Sequence, residues 1–520
     1  MNIQMTEPIT QPRLRIAPDD TLNRTLIGNV HPPDWTNPEP TGRYDLVIVG
    51  GGTGGLVSAA IGAALGARVA LVERHLLGGD CLNVGCVPSK AIIRASRAWS
   101  EARAAADRFG GPPLAGGEGD FGAVMERMRR IRAEISGHDA AARFQNEYGV
   151  DVYLGGGRFA GEDSLEVGGS VLRFRRAIIA TGARAAAPPI EGLEDAGYLT
   201  NETLYELTEL PRRLGIIGGG PIGTEMAQAF ARLGSEVTIL DMSDRILPHD
   251  DSDAAGVVLR ALESDGVRFV GKARIERVEA GQGQRTVRYR QGDQTGAVTV
   301  DTLLVAAGRQ PNVDGLGLEA AGVDYDEREG VRVNHRLQTS NAKVFAVGDV
   351  VPGLKFTHLS DRHARIAVPN ALFFGRTSAE DLVVPWCTYT SPELAHVGVS
   401  GAEAEARKDE IDTITVPFAD VDRARLDGSE EGFLRLYLKR GKDTILGATL
   451  VGEHAGEIIS QITTAMTAGL GLSKLGNTIF PYPTRAEIIR KAADARRRER
   501  LTPRSEKALE WLWRIRHRIG

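Results

Sequence analysis

Cys81 and Cys86 stand five positions apart in the stretch GGDCLNVGCVPSK (78–90), and they are two of only three cysteines in 520 residues. Thiols at that spacing can hold a metal, staple a loop or exchange electrons. A structural zinc site takes four ligands, usually as two cysteine pairs. Only Cys387 remains, so no metal site is expected. A cross-link over so short a loop gains little chain entropy, and a reducing compartment would open it. The favoured reading is therefore a pair that opens and closes as a redox couple. Lys90 follows closely, and a nearby cation stabilises a thiolate. Cys387, in PWCTYT, reads instead as a small buried hydrophobe.

Two other constellations carry chemistry. Gly50, Gly52 and Gly55 form G-x-G-x-x-G directly after the apolar run YDLVIV, and Glu73 ends the next apolar run. The first glycine permits a tight turn, the second lets backbone approach a pyrophosphate, and the third lets helix and strand pack closely. The helix N-terminus adds positive potential, and the carboxylate accepts hydrogen bonds from a ribose. Gly218, Gly220, Gly223 and Asp241 repeat the arrangement in RLGIIGGGPIGTEMAQAFARLGSEVTILD (213–241). An acidic residue at that point favours a free ribose hydroxyl and repels a 2′-phosphate. This favours NADH, with Arg245 the one near cation that keeps NADPH as a second option. Two dinucleotide sites imply two dinucleotides exchanging electrons, a nicotinamide that carries hydride and a flavin that accepts it. The cysteines follow the first site, which is expected to hold FAD.

These motifs need strands and helices to position them, and the rest of the chain supplies both. The expected fold class is α/β, with two Rossmann-like dinucleotide-binding domains and a C-terminal α+β dimerisation domain. Residues 1–42, rich in proline, read as an arm lying on the surface. Residues 43–190 and 312–384 read as the FAD-binding domain, 191–311 as the NAD(P)-binding domain, 385–490 as the dimerisation domain and 491–520 as a basic tail. A charged tract at roughly 89–147 has helical spacing in AVMERMRRIRAEI. No apolar run reaches the roughly 20 residues that span a membrane, and the opening MNIQMTEPIT lacks the apolar centre of a signal peptide. A cytoplasmic location is expected. The net charge of −5 gives no reason to expect nucleic acid.

The cysteine stretch resembles the active-site motif of the flavin-dependent pyridine nucleotide-disulfide oxidoreductases, which include dihydrolipoamide dehydrogenase, glutathione reductase and mercuric reductase. The resemblance covers about residues 44–490 and includes both glycine fingerprints, ATG (180–182), AAGRQPN (306–312), VFAVGDV (344–350) and TYTSPELAHVG (388–398). It implies that Cys86 takes electrons from the flavin and persists as a charge-transfer thiolate, while Cys81 is the interchange thiol that attacks the acceptor. It places Lys90 near flavin N5, paired with Glu225, and Asp349 on the ribityl chain. Backbone at Phe356, Thr357 and His358, a helix start, would set partial positive charge beside the flavin pyrimidine ring. Thr181 and Gly182 are expected on FAD and Gly308 on the nicotinamide nucleotide. The last third implies a homodimer whose active site is shared between subunits.

One departure bears on the substrate. The family's His-Pro-Thr and its following glutamate stand here as Tyr482-Pro483-Thr484 and Glu487. Histidine titrates at about 6.5, whereas tyrosine at about 10 is almost wholly protonated at neutral pH. Acid–base help for thiol–disulfide exchange is weakened. Mercuric reductase is similar at this point, with phenylalanine, proline and tyrosine in the same order. Its paired C-terminal cysteines, however, are missing from KAADARRRERLTPRSEKALEWLWRIRHRIG. The expected activity is a mercuric-reductase-like transfer from NAD(P)H to a thiophilic metal ion or small disulfide. Dihydrolipoamide dehydrogenase activity is the alternative, and a redox-sensing partner protein a third reading. His358 and His454 are candidates for a replacement base, while His75, His363 and His396 read as structural. The tail sets Leu509, Leu512, Trp513 and Ile519 among Arg514, Arg516 and Arg518. Such a helix suits docking on the dimer or weak contact with an anionic membrane surface.

Overall fold

The computed structural model describes residues 14, 16–112, 119–373, 375–499 and 503–519. Arg43–Val49 lies at the centre of a parallel run in the order Asp151–Leu154, Val69–Glu73, Arg43–Val49, Ser170–Ile179, Val344–Ala346. Parallel sheets are buried on both faces, so their strands are apolar throughout. Here Leu46 and Ile48 pack into one buried cluster and Val47 and Val49 into another across the sheet. Ser170–Ile179 extends past the parallel run into an antiparallel meander with Ser164–Val167 and Arg158–Gly161.

The second fingerprint belongs to a separate parallel sheet, ordered Arg268–Val270, Glu236–Leu240, Arg213–Ile217, Thr302–Val305. An antiparallel meander of Arg274–Gly281, Gln284–Gln291 and Gln294–Val300 packs against it. The chain returns toward the first domain through a separate two-stranded sheet, in which Arg309–Pro311 pairs with Ala183–Ala185. From residue 385 a five-stranded antiparallel sheet follows, ordered Pro385–Thr388, Glu393–Gly398, Ile445–Gly452, Phe433–Lys439, Ile411–Pro417. Helices Ala455–Thr467 and Glu487–Glu499 bury Ile458, Ile462, Ile488 and Ile489 in one cluster with that sheet.

Of the expected arm, residues 1–13 and 15 lie outside the described residues, and the rest holds a helix that composition did not suggest. Thr21–Val30 is a helix, N-capped by the Asp20 carboxylate, which accepts from the Asn23 amide. Leu26 and Val30 are fully buried. Trp35 Nε1 donates to the Val152 carbonyl at 3.1 Å, and Asn37 exchanges two hydrogen bonds with Leu154. The segment is therefore sewn to the outer strand Asp151–Leu154 rather than laid on the surface. The cap and the spacing of Asn23, Leu26 and Val30 drive this, against the proline-rich surroundings.

The tail contains the helix Pro503–Ile519, on which Leu509, Trp511, Leu512 and Trp513 stand exposed. The side chains of Arg518 and Ile519 lie outside the described residues. No described helix is long and apolar enough to cross a membrane.

Candidate redox site

A cavity of about 680 Å³ opens at the C-terminal end of the first sheet, where open α/β folds place their ligands. Gly50 turns the chain there at φ +109°, and a Cβ on it would lie 2.3 Å from the Ala180 carbonyl oxygen. A Cβ on Gly55 would come within 1.8 Å of the Gly50 oxygen, so the helix Thr53–Ala64 packs against its strand only with glycine there. Gly52 is different. A Cβ on it would find its nearest neighbour, the Gly79 Cα, at 3.7 Å, an ordinary contact. The space before this turn is therefore open, and no side chain caps the helix behind it.

Glu73 accepts from the amides of Gly51 and His75 at 2.6 Å each. Burial pushes its carboxyl upward, against the pull of those two amides. An open glycine cradle, an uncapped helix start and a buried carboxylate fit the pyrophosphate and ribose of a flavin dinucleotide. The second fingerprint copies the geometry, with Asp241 accepting from Gly219 and Ser243 at 2.6 Å each. A Cβ on Gly223 would lie 2.0 Å from the Gly218 oxygen, and Gly220 faces open space.

Cys81 lies in the short helix Gly79–Asn83 and Cys86 at the first position of helix Cys86–Phe109; both side chains line the cavity as free thiols. Cys86 Sγ is 3.3 Å from the Thr357 hydroxyl. Its pKa is lowered to about 6, first by the hydrogen bond from Cys81, then by Thr357 and the Lys90 charge, with burial opposing. Cys81 moves the other way, because its thiol proton is held by Cys86 and its site is buried. The pair thus shares one proton at neutral pH, with the anion on Cys86. Alkylation of the reduced enzyme tests this. The Cys86 rate should be near its plateau at pH 7 and fall as pH drops through about 6, whereas an ordinary thiol would still be climbing toward roughly 8.5. Mass mapping of iodoacetamide adducts across pH separates the two.

Lys90 Nζ donates to Glu225 Oε2 at 2.8 Å and sits 4.6 Å from the Tyr389 ring centroid. Glu225 is buried, and its other oxygen accepts from the Tyr389 amide at 2.9 Å. The ion pair therefore joins the cysteine helix, the helix of the second fingerprint and the start of the C-terminal sheet. Ile222, Glu225 and Met226 bring that second helix to the cavity wall.

Thr181, Gly182 and Asp349 also line the cavity. Thr181 is fixed by Asn312, whose carbonyl accepts from its hydroxyl at 2.8 Å. Burial raises Asp349, against the Arg309 and Lys355 charges. Arg309 was not foreseen from sequence. It bonds Asp80 and the Ala183 carbonyl, and stands 3.6 Å from Asp349. Its only sequence signal is its place directly after Gly308 in AAGRQPN. Thr357 was expected to contribute backbone alone, yet its hydroxyl reaches Cys86.

Other expected residues lie apart. Gly218, Gly220, Gly223, Asp241 and Gly308 are not on this wall. Phe356 and His358 stack on each other at 5.2 Å and run toward Trp386, and a ring nitrogen of His358 is 2.7 Å from the Pro385 carbonyl. His358 and His454 are not among the residues that line the cavity. Tyr482 and Glu487 lie in the C-terminal unit of this chain, away from the cysteines. The Tyr482 hydroxyl donates to Asp422 at 3.1 Å, and that bond holds its pKa above the ordinary value. Glu487 is buried against Arg490, and its Oε2 has no hydrogen-bond partner.

Two dinucleotide folds with a dithiol and a half-buried ion pair at their junction define an FAD-dependent oxidoreductase. The chain belongs to the pyridine nucleotide-disulphide oxidoreductase family, whose model matches residues 44–372, and its dimerisation domain matches residues 384–493. The family uses FAD and NAD(P)H, and the dimerisation domain supports a homodimer. A mercuric reductase of Bacillus cereus is 34% identical over 456 residues, covering 88% of this chain and 72% of that one. A dihydrolipoyl dehydrogenase of Thermus scotoductus is 36% identical over 457 residues, covering 87% and 97%. The Cu(II) complex of the HOCl-induced flavoprotein disulfide reductase RclA from Escherichia coli superimposes with a TM-score of 0.78 at 31% identity, covering 88% and 100%.

Proposed function

We propose that the chain is an NAD(P)H-driven reductase that passes electrons through Cys81 and Cys86 to a thiophilic metal ion or a small disulfide, with NADH preferred. The observation that carries this is a lowered Cys86 thiol on the wall of the cavity that also holds the glycine cradle and the Lys90–Glu225 pair. When bound, FAD accepts hydride from the nicotinamide and gives two electrons to the sulfur pair. Lys90, fixed by Glu225, sets positive charge beside the reacting centre. Thr357 and the start of helix Cys86–Phe109 stabilise the Cys86 anion. Cys81 gives up the proton it shares with Cys86 to the first departing thiolate as it attacks a disulfide acceptor and forms a mixed disulfide; the Cys86 thiolate then attacks the Cys81 sulfur, the second thiolate leaves and takes up a proton from solvent, and the Cys81–Cys86 bond closes. The sum is NADH, a proton and a disulfide giving NAD⁺ and two thiols. With Hg²⁺, both sulfurs bind as thiolates with release of the Cys81 proton, and the Cys81–Cys86 bond closes as Hg⁰ leaves; with Cu²⁺, the same two electrons reduce two ions to Cu⁺.

Metal acceptors are favoured by Tyr482, since a metal needs no proton delivered to a leaving thiol. The names of the similar proteins, mercuric reductase and a Cu(II) complex of a disulfide reductase, point the same way. We place Tyr482 and Glu487 of one subunit at the mouth of the other subunit's site. A screen with NADH and NADPH against Hg²⁺, Cu²⁺, lipoamide, glutathione disulfide and quinones tests the reading. Turnover of a metal ion or small disulfide, faster with NADH, is expected. Turnover of quinones alone, or strong NAD⁺-dependent dihydrolipoamide oxidation, would overturn it.

A further inference from the structure

Arg132 is a buried arginine outside the cavity, 2% exposed, on the helix Phe121–Ser136. Its Nη1 donates to the carbonyl of Asn83 at 2.7 Å, and its Nη2 donates to Asn23 Oδ1 at 2.7 Å. Asn83 lies between the two cysteines. Its own side chain donates to the Leu77 and Gly79 carbonyls at 3.0 and 2.9 Å, tying the loop at a second point. Asn23 lies on the N-terminal helix and is 1% exposed. That helix is anchored twice more, by Asp20 to Arg129 at 2.7 Å and by the Val30 carbonyl, which accepts from the Leu77 amide at 3.2 Å. Leu26 and Val30 share one buried cluster with Leu77 and Leu82, and Leu82 immediately follows Cys81.

A buried guanidinium needs its donors satisfied, and leaving them unpaired is expensive. Burial lowers the Arg132 pKa to about 10, so the group stays charged at neutral pH and its two bonds are charge-assisted. The Arg132 Nε already has no partner, so removing the Asn23 acceptor strands Nη2 as well and obliges the guanidinium to shift, which loosens its bond to the Asn83 carbonyl.

We infer that Arg132 is a positioning residue through which the N-terminal helix holds the loop between Cys81 and Cys86 in one geometry. The segment outside the dinucleotide folds thereby sets how readily the two sulfurs bond. This rests on reading the pair as a redox couple. The sulfurs' effective concentration toward each other depends on how narrowly the loop is held, and it governs the equilibrium between dithiol and disulfide.

The test is thiol trapping of the flavin-loaded enzyme equilibrated in glutathione buffers, read by mass spectrometry. Arg132→Ala is the direct variant but strips a buried charge; Asn23→Ala keeps Arg132 and the Asp20 cap. Asn23→Ala should lower the equilibrium constant for oxidising the pair by about five- to tenfold. Both variants lose the bond that the Asn23 amide donates to the Pro18 carbonyl, but Asn23→Asp keeps the acceptor oxygen, now charged, for Arg132 and should return the constant to within about twofold, a rescue that general destabilisation would not give. Equal constants for wild type and Asn23→Ala, or failure of Asn23→Asp to rescue, would overturn the inference. Trapping reads sulfur directly, so an enzyme that reduces no acceptor still answers. A wild-type pair that oxidises in no buffer would overturn the redox reading and the clamp with it.

Discussion

Replacing Cys86 by serine should stop reduction of every acceptor while leaving NADH able to bleach the flavin. Serine has no low-pKa thiolate and forms no S–S bond, so the route is removed rather than weakened. Loss on the order of a thousandfold or more is expected, as when a covalent participant is deleted. Cys81→Ser should do the same for a different reason. It removes the outward-passing sulfur, although a serine hydroxyl still donates a hydrogen bond to Cys86. Cys81→Ala removes that donor too, the first cause of the lowered Cys86 pKa, so there the Cys86 alkylation midpoint should rise above about 6, and no disulfide should form in any of these variants. Stopped-flow reduction of the flavin, run beside steady-state acceptor assays, separates the two half-reactions. If both variants keep wild-type turnover with the best acceptor, electrons leave the flavin by another path.

The parts of this site that were legible in the sequence are those built from contiguous chain. Gly50 through Glu73 form one strand–turn–helix–strand unit, and the bond from the Gly51 amide to Glu73 closes within it. Gly218 through Asp241 do the same. Hydrophobic pattern and glycine spacing are enough to find such units. Contacts across the chain were not legible from pattern. Arg309 meets Asp80 over 229 positions, and no periodicity links them. The Thr357 hydroxyl reaches Cys86 over 271 positions. Lys90 and Glu225, 135 apart, are paired in advance only because the motif resembles a family in which such residues meet.

The N-terminal helix was missed for another reason. Its signals, the Asp20 cap and the spacing Asn23, Leu26, Val30, were present but short. The prolines at 32, 33, 38 and 40 outweighed them in a reading by composition. For His358 the sequence argued a backbone role at a helix start, and gave no signal that its ring would stack on Phe356 and meet the Pro385 carbonyl.

Tyr482→His should raise turnover of small disulfides by roughly ten- to a hundredfold, within the span that general acid–base catalysis supplies. The reason is proton supply. A leaving thiolate needs a donor that is also readily recharged near pH 7, and imidazole, with reference pKa about 6.5, meets both conditions. The Tyr482 phenol meets neither, and its bond to Asp422 moves it further from that range. Histidine at the same position would stand on the turn that leads into Glu487. The unpaired Oε2 of that buried carboxylate is then available to accept a ring N–H and to favour the charged imidazole. Turnover of Hg²⁺ or Cu²⁺ should change by less than about twofold, because no leaving thiol needs a proton there. The disulfide gain should follow a bell-shaped pH profile with one limb near the histidine value, and Glu487→Gln should remove most of it in the Tyr482→His background. A uniform rise for metals and disulfides alike would mean that Tyr482 acts by obstructing the site rather than by withholding a proton.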